Sequence, residues 1–219
     1  SFLLCTLLGS ALCTPIIEQI TPVDQNKTSS MEVKSKRKIQ LVILFDTSSS
    51  MDGLLNQAKS RLWEIVNESG ALRYHGEIPS LEIAMYDYGN SGIQNSLFVR
   101  KQLEFTSDLD LVSQKLFALK TSGGEEYCGA VISDALNKLQ WSSDPRDLKM
   151  IYIAGNEPFN QGPMNYQEVC AIAKKKEVLV NTIYCGDHLQ GIRELWKDGA
   201  IGTKGDYFNI DANREVVFI

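Results

Sequence analysis

Long apolar runs, histidines and paired cysteines are all scarce in this chain, and each shortage removes a class of function. The apolar segment Ser1 to Thr14 is too short to cross a bilayer as a helix, so no transmembrane helix is expected in the mature chain. Two of the five cysteines fall in that segment. The remaining Cys128, Cys170 and Cys185 form no Cys-x-x-Cys pair, and with two histidines in all, a zinc cluster is disfavoured. A net charge of -5 without a large basic patch argues against nucleic acid as the main partner. The glycines at 123 and 124 are not followed by Lys-Ser or Lys-Thr, which disfavours a phosphate-binding loop.

What is present is enough for one α/β domain with a tail: 219 residues, 43% of them hydrophobic. Residues 1–14 read as part of a secretory signal, with Ala11-Leu12-Cys13 as the candidate cleavage site. The charged start of such a signal is missing, and a lipid anchor on Cys13 ranks below cleavage because Leu12 is large for that motif. Export to a periplasm or the extracellular space is the expectation. Residues 15–37 are rich in Pro, Ser, Thr and Lys and read as a linker; within it Asn26-Lys27-Thr28 matches a glycosylation acceptor. The domain is expected over 38–219, truncated at its end, since Glu215 to Ile219 stops inside an apolar run.

The chain is organised around Ile39 to Gly53, where an apolar run of strand length ends in a carboxylate and a cluster of hydroxyls. Such a run suits a buried parallel strand that delivers polar groups at its carboxyl end. Asp46, Ser48 and Ser50 form an Asp-x-Ser-x-Ser pattern there. A hard divalent cation such as magnesium takes oxygen ligands, and one carboxylate with two neutral hydroxyls supplies part of its shell while leaving it electron-poor. The competing reading is a serine-rich turn that caps the next helix.

Helical spacing follows at 54–67, 109–119 and 131–139, with strands expected at 81–87 and 97–105 joined by a hairpin turn at Gly89-Asn90-Ser91-Gly92. Strands at 150–154, 178–184 and 207–210 then alternate with helices at 166–176 and 189–197. This order predicts a doubly wound, mostly parallel sheet with helices on both faces and one antiparallel edge strand. Ligands in such sheets bind beyond the carboxyl ends of the strands.

The Asp-x-Ser-x-Ser motif after an apolar strand, together with this element order, resembles the von Willebrand factor type A domain and its metal-ion-dependent adhesion site. The resemblance implies a binding module, not an enzyme, that meets a protein or cell-surface ligand through magnesium or calcium. It also implies two further site loops, and both depart from the family pattern. In the second, Glu125 stands where a threonine is usual, with Glu126 equally placed. In the third, Gly155 replaces the usual aspartate, leaving Asn156 or Glu157 to substitute. An added glutamate would lower the residual charge of the metal and favour calcium. The alternatives for the glutamates and for the whole site are a helix start favoured by acidic groups, and a scaffold that has lost its metal. Tyr127 and Phe159, inside the two loops, are the candidate partner contacts; the oligomeric state is left open.

The three late cysteines allow two readings. Cys170 and Cys185 lie on consecutive elements, so in an oxidising compartment they are the expected disulfide, with Cys128 free. A loop of about 15 residues closed this way would gain ~3 kcal/mol in the chain-entropy model. The other reading is three small buried apolar residues. A hydrolase using Cys128 with His188, or a metal-activated water, is the enzymatic alternative.

Overall fold

A computed structural model describes residues 36–211, so the signal segment, all but the end of the linker and residues 212–219 lie outside it. Six strands form one sheet in the order β3-β2-β1-β4-β5-β6. They are β1 (Lys38–Asp46), β2 (Ser80–Tyr88), β3 (Val99–Thr106), β4 (Leu148–Gly155), β5 (Val178–Cys185) and β6 (Tyr207–Ile210). The helices are α1 (Leu55–Ala71), α2 (Leu109–Ala118), α3 (Cys128–Lys138), α4 (Tyr166–Lys175), α5 (His188–Arg193) and α6 (Trp196–Ile201).

The apolar run of β1 is unbroken because the strand is central and covered on both faces. It pairs in parallel with β2, Leu41 opposite Ile83, and with β4, Leu41 opposite Met150. Successive side chains point to opposite faces. Leu41, Ile43 and Phe45 join a core with Leu62 and Val66 of α1 and with Val112 and Leu116 of α2. Val42 and Leu44 join the other core with Val131 and Ile132 of α3 and Val169 of α4. All of these β1 side chains are fully buried. The sheet is parallel except for β3, which pairs antiparallel with β2 at one edge.

Two elements differ from the sequence reading. The β2–β3 connection runs from 89 to 98 and not through a four-residue turn; it is tied by Gly89 N–H donating to the Phe98 carbonyl at 3.0 Å. The helix expected at 189–197 is two short helices, broken at Leu195, which adopts a left-handed φ of 67°. The break turns Trp196 fully into the core, where it packs edge-on against Phe159 and Tyr184.

The cysteines follow the second sequence reading. Cys128, Cys170 and Cys185 are free and buried, and the expected Cys170–Cys185 bridge is not formed. The reason is the period-2 geometry of β5: Cys170 packs in the α3–α4 core, whereas Cys185 points into the α1–α2 core on the opposite face.

Candidate metal-binding rim

Asp46 is the last residue of β1 and lies at the carboxyl edge of the parallel strands. Its carboxylate is fully buried. The Oδ1 atom accepts the Ser48 N–H at 2.8 Å, but Oδ2 is buried with no hydrogen-bond partner. Burial drives its carboxyl up from 3.8 to about 7; hydrogen bonds from Ser48 oppose this, and the charges of Glu126 and Glu157 add to it. A buried, unpaired carboxylate oxygen is costly to keep unless something positive meets it.

The two serines and one residue of each remaining loop converge on this oxygen's surroundings. Ser48 begins a 3-10 turn over Ser49–Met51, and its Oγ lies 2.7 Å from Ser50 Oγ. Ser50 Oγ donates to Asn156 Oδ1 at 2.8 Å, and Asn156 Nδ2 returns a bond to the Ser50 carbonyl at 3.1 Å. Of the paired glutamates, Glu126 is buried and Glu125 is exposed, within 3.5 Å of Gln161 Nε2. Burial raises the Glu126 carboxyl, Ser48 lowers it, and Glu157 and Glu125 raise it further. Glu157 is half-buried, and its backbone carbonyl accepts from Trp196 Nε1 at 2.8 Å.

Glycines permit this convergence. At Gly89, with φ 74°, a Cβ would stand 2.8 Å from Glu126 Cγ and 2.9 Å from Asp46 Oδ1; at Gly124 it would meet the Gly89 carbonyl oxygen at 2.3 Å. The second loop therefore lies directly on the end of β2, which brings in Glu126. At Gly155 a Cβ would stand 2.5 Å from the Tyr88 hydroxyl, 3.0 Å from Trp196 Cη2 and 3.1 Å from Asp46 Cβ. The space below a third-loop carboxylate is thus filled by Tyr88, whose hydroxyl donates to the Ala154 carbonyl at 3.1 Å, and by Trp196. Tyr88 is one of the aromatics near strand ends that the sequence offers for either the rim or the core, whereas nothing in the sequence marks Trp196 as part of a site.

The remaining candidates separate. Phe159 is fully buried against Tyr166 and Trp196 and so offers no surface to a partner. Tyr127 is half-buried at the start of α3, edge-on to Phe98 with centroids 6.1 Å apart, and its ring covers Gly162. Cys128 and His188 keep separate company: the Cys128 thiol lies 3.7 Å from the Tyr88 hydroxyl, while His188 Nδ1 is 3.2 Å from Asn209 Oδ1. Burial pushes the Cys128 thiol well up, the reverse of what a nucleophile needs. Among the described residues no three His, Cys, Asp or Glu side chains cluster to hold a metal. A cation here therefore depends on serine hydroxyls beside Asp46 and Glu126, an all-oxygen set that fits a hard divalent ion.

No family model and no curated protein sequence matches the chain. Solved structures do. BatB from Bacteroides thetaiotaomicron, a conserved hypothetical protein, is 17% identical with a TM-score of 0.60 over 79% of this chain and 90% of that one. Proximal thread matrix protein 1 from the mussel byssus, with a zinc-occupied metal-ion-dependent adhesion site, is 12% identical with a TM-score of 0.61 over 82% of this chain and 43% of that one. The SpRpn10 VWA domain is 13% identical with a TM-score of 0.56 over 83% of this chain and 91% of that one. The fold is thus of the von Willebrand type A kind, a mostly parallel six-stranded sheet with one antiparallel edge strand and flanking helices.

Proposed function

We propose that the chain is an exported binding module, with its domain over 38–219, which holds magnesium or calcium at the rim and through it binds a protein or cell-surface ligand. The observation that carries this reading is Asp46 Oδ2, buried and unpartnered among hydroxyls and a second buried carboxylate. Asp46, Ser48, Ser50 and Glu126 would hold the ion, which supplies a positive charge able to attract an acidic group of the partner. The Ser48 N–H fixes the orientation of the Asp46 carboxylate, and Asn156 fixes that of Ser50. Glu126 lowers the charge left for a partner and favours calcium's larger oxygen shell over magnesium's octahedron. Tyr127, half-buried and next to Glu126 in the chain, would be the aromatic that touches the partner. Among the described residues no helix is long and apolar enough to cross a membrane. The export reading rests on residues 1–14.

One observation favours a second reading, a scaffold without metal. The Ser48–Ser50–Asn156 hydrogen bonds satisfy the hydroxyls within the protein itself. Calorimetric titration of magnesium, calcium and manganese into the full chain and into Asp46→Ala separates the two. Saturable binding that disappears in the variant supports the metal-dependent module; no heat of binding with either protein leaves the scaffold.

A further inference from the structure

On the β3 side of the rim lies a second cleft whose chemistry has the opposite sign. Its volume is about 380 Å³, and Asn90, Arg100, Gln102, Lys115, Lys120 and Ser122 are among its walls. Asp87, fully buried near the end of β2, accepts from Arg100 Nε at 3.0 Å and Nη2 at 2.6 Å, and from Gln102 Nε2 at 2.9 Å. This holds the guanidinium in place while leaving Nη1 without a hydrogen bond among the described residues and the side chain 46% exposed. Lys115 and Lys120 enter no ion pair among the described residues. With Arg100 offset by Asp87, the cleft keeps two further cations, against one carboxylate at its edge, Asp52, which accepts from the wall residue Thr121.

The walls are also fixed. Asn90 is buried; its Nδ2 donates to the carbonyls of Thr47 at 3.2 Å and Lys120 at 3.1 Å, and its Oδ1 accepts the Gly92 N–H at 2.9 Å. Ser122 N–H donates to the Thr47 carbonyl at 2.9 Å. A guanidinium held in place by Asp87, with two lysines lining the same cleft, suits a ligand with several anionic oxygens, because one planar donor is fixed before binding and the two ammonium groups can close on the charge. We propose that this cleft binds a tetrahedral oxyanion, the sulfate or phosphate group of a monoester, with Arg100, Lys115 and Lys120 as its contacts. The assignment does not depend on a cation at Asp46.

The test is calorimetric titration of sodium sulfate and sodium phosphate into the full chain, dialysed free of metal, at ionic strength balanced with chloride. The proteins compared are the natural chain, the Lys115→Gln/Lys120→Gln variant and Asp46→Ala. Arg100 is left in place because its loss would strand buried Asp87, whereas the two lysines make no ion pairs whose loss would unfold the chain. The expected result is saturable binding of at least one oxyanion, weakened tenfold or more in the double lysine variant and unchanged in Asp46→Ala. Glucose 6-sulfate and glucose 6-phosphate then identify the ester, the tighter of the two naming the class. Heats that never saturate, or saturation that the double lysine variant retains in full, would overturn the proposal.

Discussion

A single methyl group at Gly155 would disturb the rim, because the atoms it meets are the Tyr88 hydroxyl and the ring of Trp196, both fixed in the core. Gly155→Ala is expected to lose about 1–3 kcal/mol of stability through overpacking. Adding Tyr88→Phe removes the nearest atom and should recover part of that loss, a coupling of about 0.5–3 kcal/mol measurable by urea denaturation of the four proteins in the cycle. Strict additivity would show that the backbone moves aside instead. Asp46 allows a pH test on the chelated chain. Its folded value of about 7 lies above the ordinary 3.8, so its contribution is fully present below 3.8 and is lost as pH rises through about 7. The thermal midpoint of the metal-free protein should therefore fall between about pH 4 and about pH 7 and level off above that, and Asp46→Asn should flatten that fall. That Asp46, Ser48 and Ser50 lie together was legible in the sequence because they stand at alternate positions where one buried strand ends. That Glu126 and not Glu125 is the buried one was not legible, since it depends on Gly124 resting against Gly89, a contact between distant segments.

Elements were legible where one period ran without interruption. β1, α1, α2 and α4 answer to runs of apolar residues with a single dominant spacing. The break between α5 and α6 was not, because Leu195 carries no turn signal: it takes a left-handed conformation so that Trp196 can fill the space under Gly155 and beside Phe159. Tertiary packing of one large ring overrides local preference there. The end of α4 shows the same strain at an exposed position. Glu177 follows the cap residue Lys176, has φ 56°, and donates its N–H to the Lys174 carbonyl at 3.1 Å. A left-handed non-glycine residue costs roughly 1–2 kcal/mol, and glycine is the usual residue after a helix C-cap. Glu177→Gly is expected to stabilise the protein by about 0.5–1 kcal/mol in chemical denaturation, the conformational relief being partly offset by glycine's larger entropy loss on folding. A loss of stability would mean that the Glu177 side chain matters more than its backbone.

At the scale of the whole molecule, the parallel strands separate two jobs along one axis. The rim groups gather where β1, β2 and β4 end, while the opposite end is closed by polar pairing, with Lys38 Nζ 2.7 Å from Glu82 Oε1 and Gln40 Nε2 2.9 Å from Glu82 Oε2. Lys38 and Asp46 are the first and last residues of β1, so at ~3.3 Å per residue the two ends lie about 26 Å apart. Sites this distant with no shared partner are expected to act additively. Glu82→Gln weakens an ion pair between partly exposed groups and should lower stability by no more than about 1 kcal/mol. A cation at a hundred times its dissociation constant should raise stability by about 2.7 kcal/mol in the natural chain, by the same amount within about 0.5 kcal/mol in Glu82→Gln, and not at all in Asp46→Ala. Thermal or urea unfolding of the three proteins with and without calcium measures all three terms. If the gain shrinks in Glu82→Gln, the two ends of the sheet are coupled through β1 and the rim is not an independent site; if it survives in Asp46→Ala, the ion is held elsewhere.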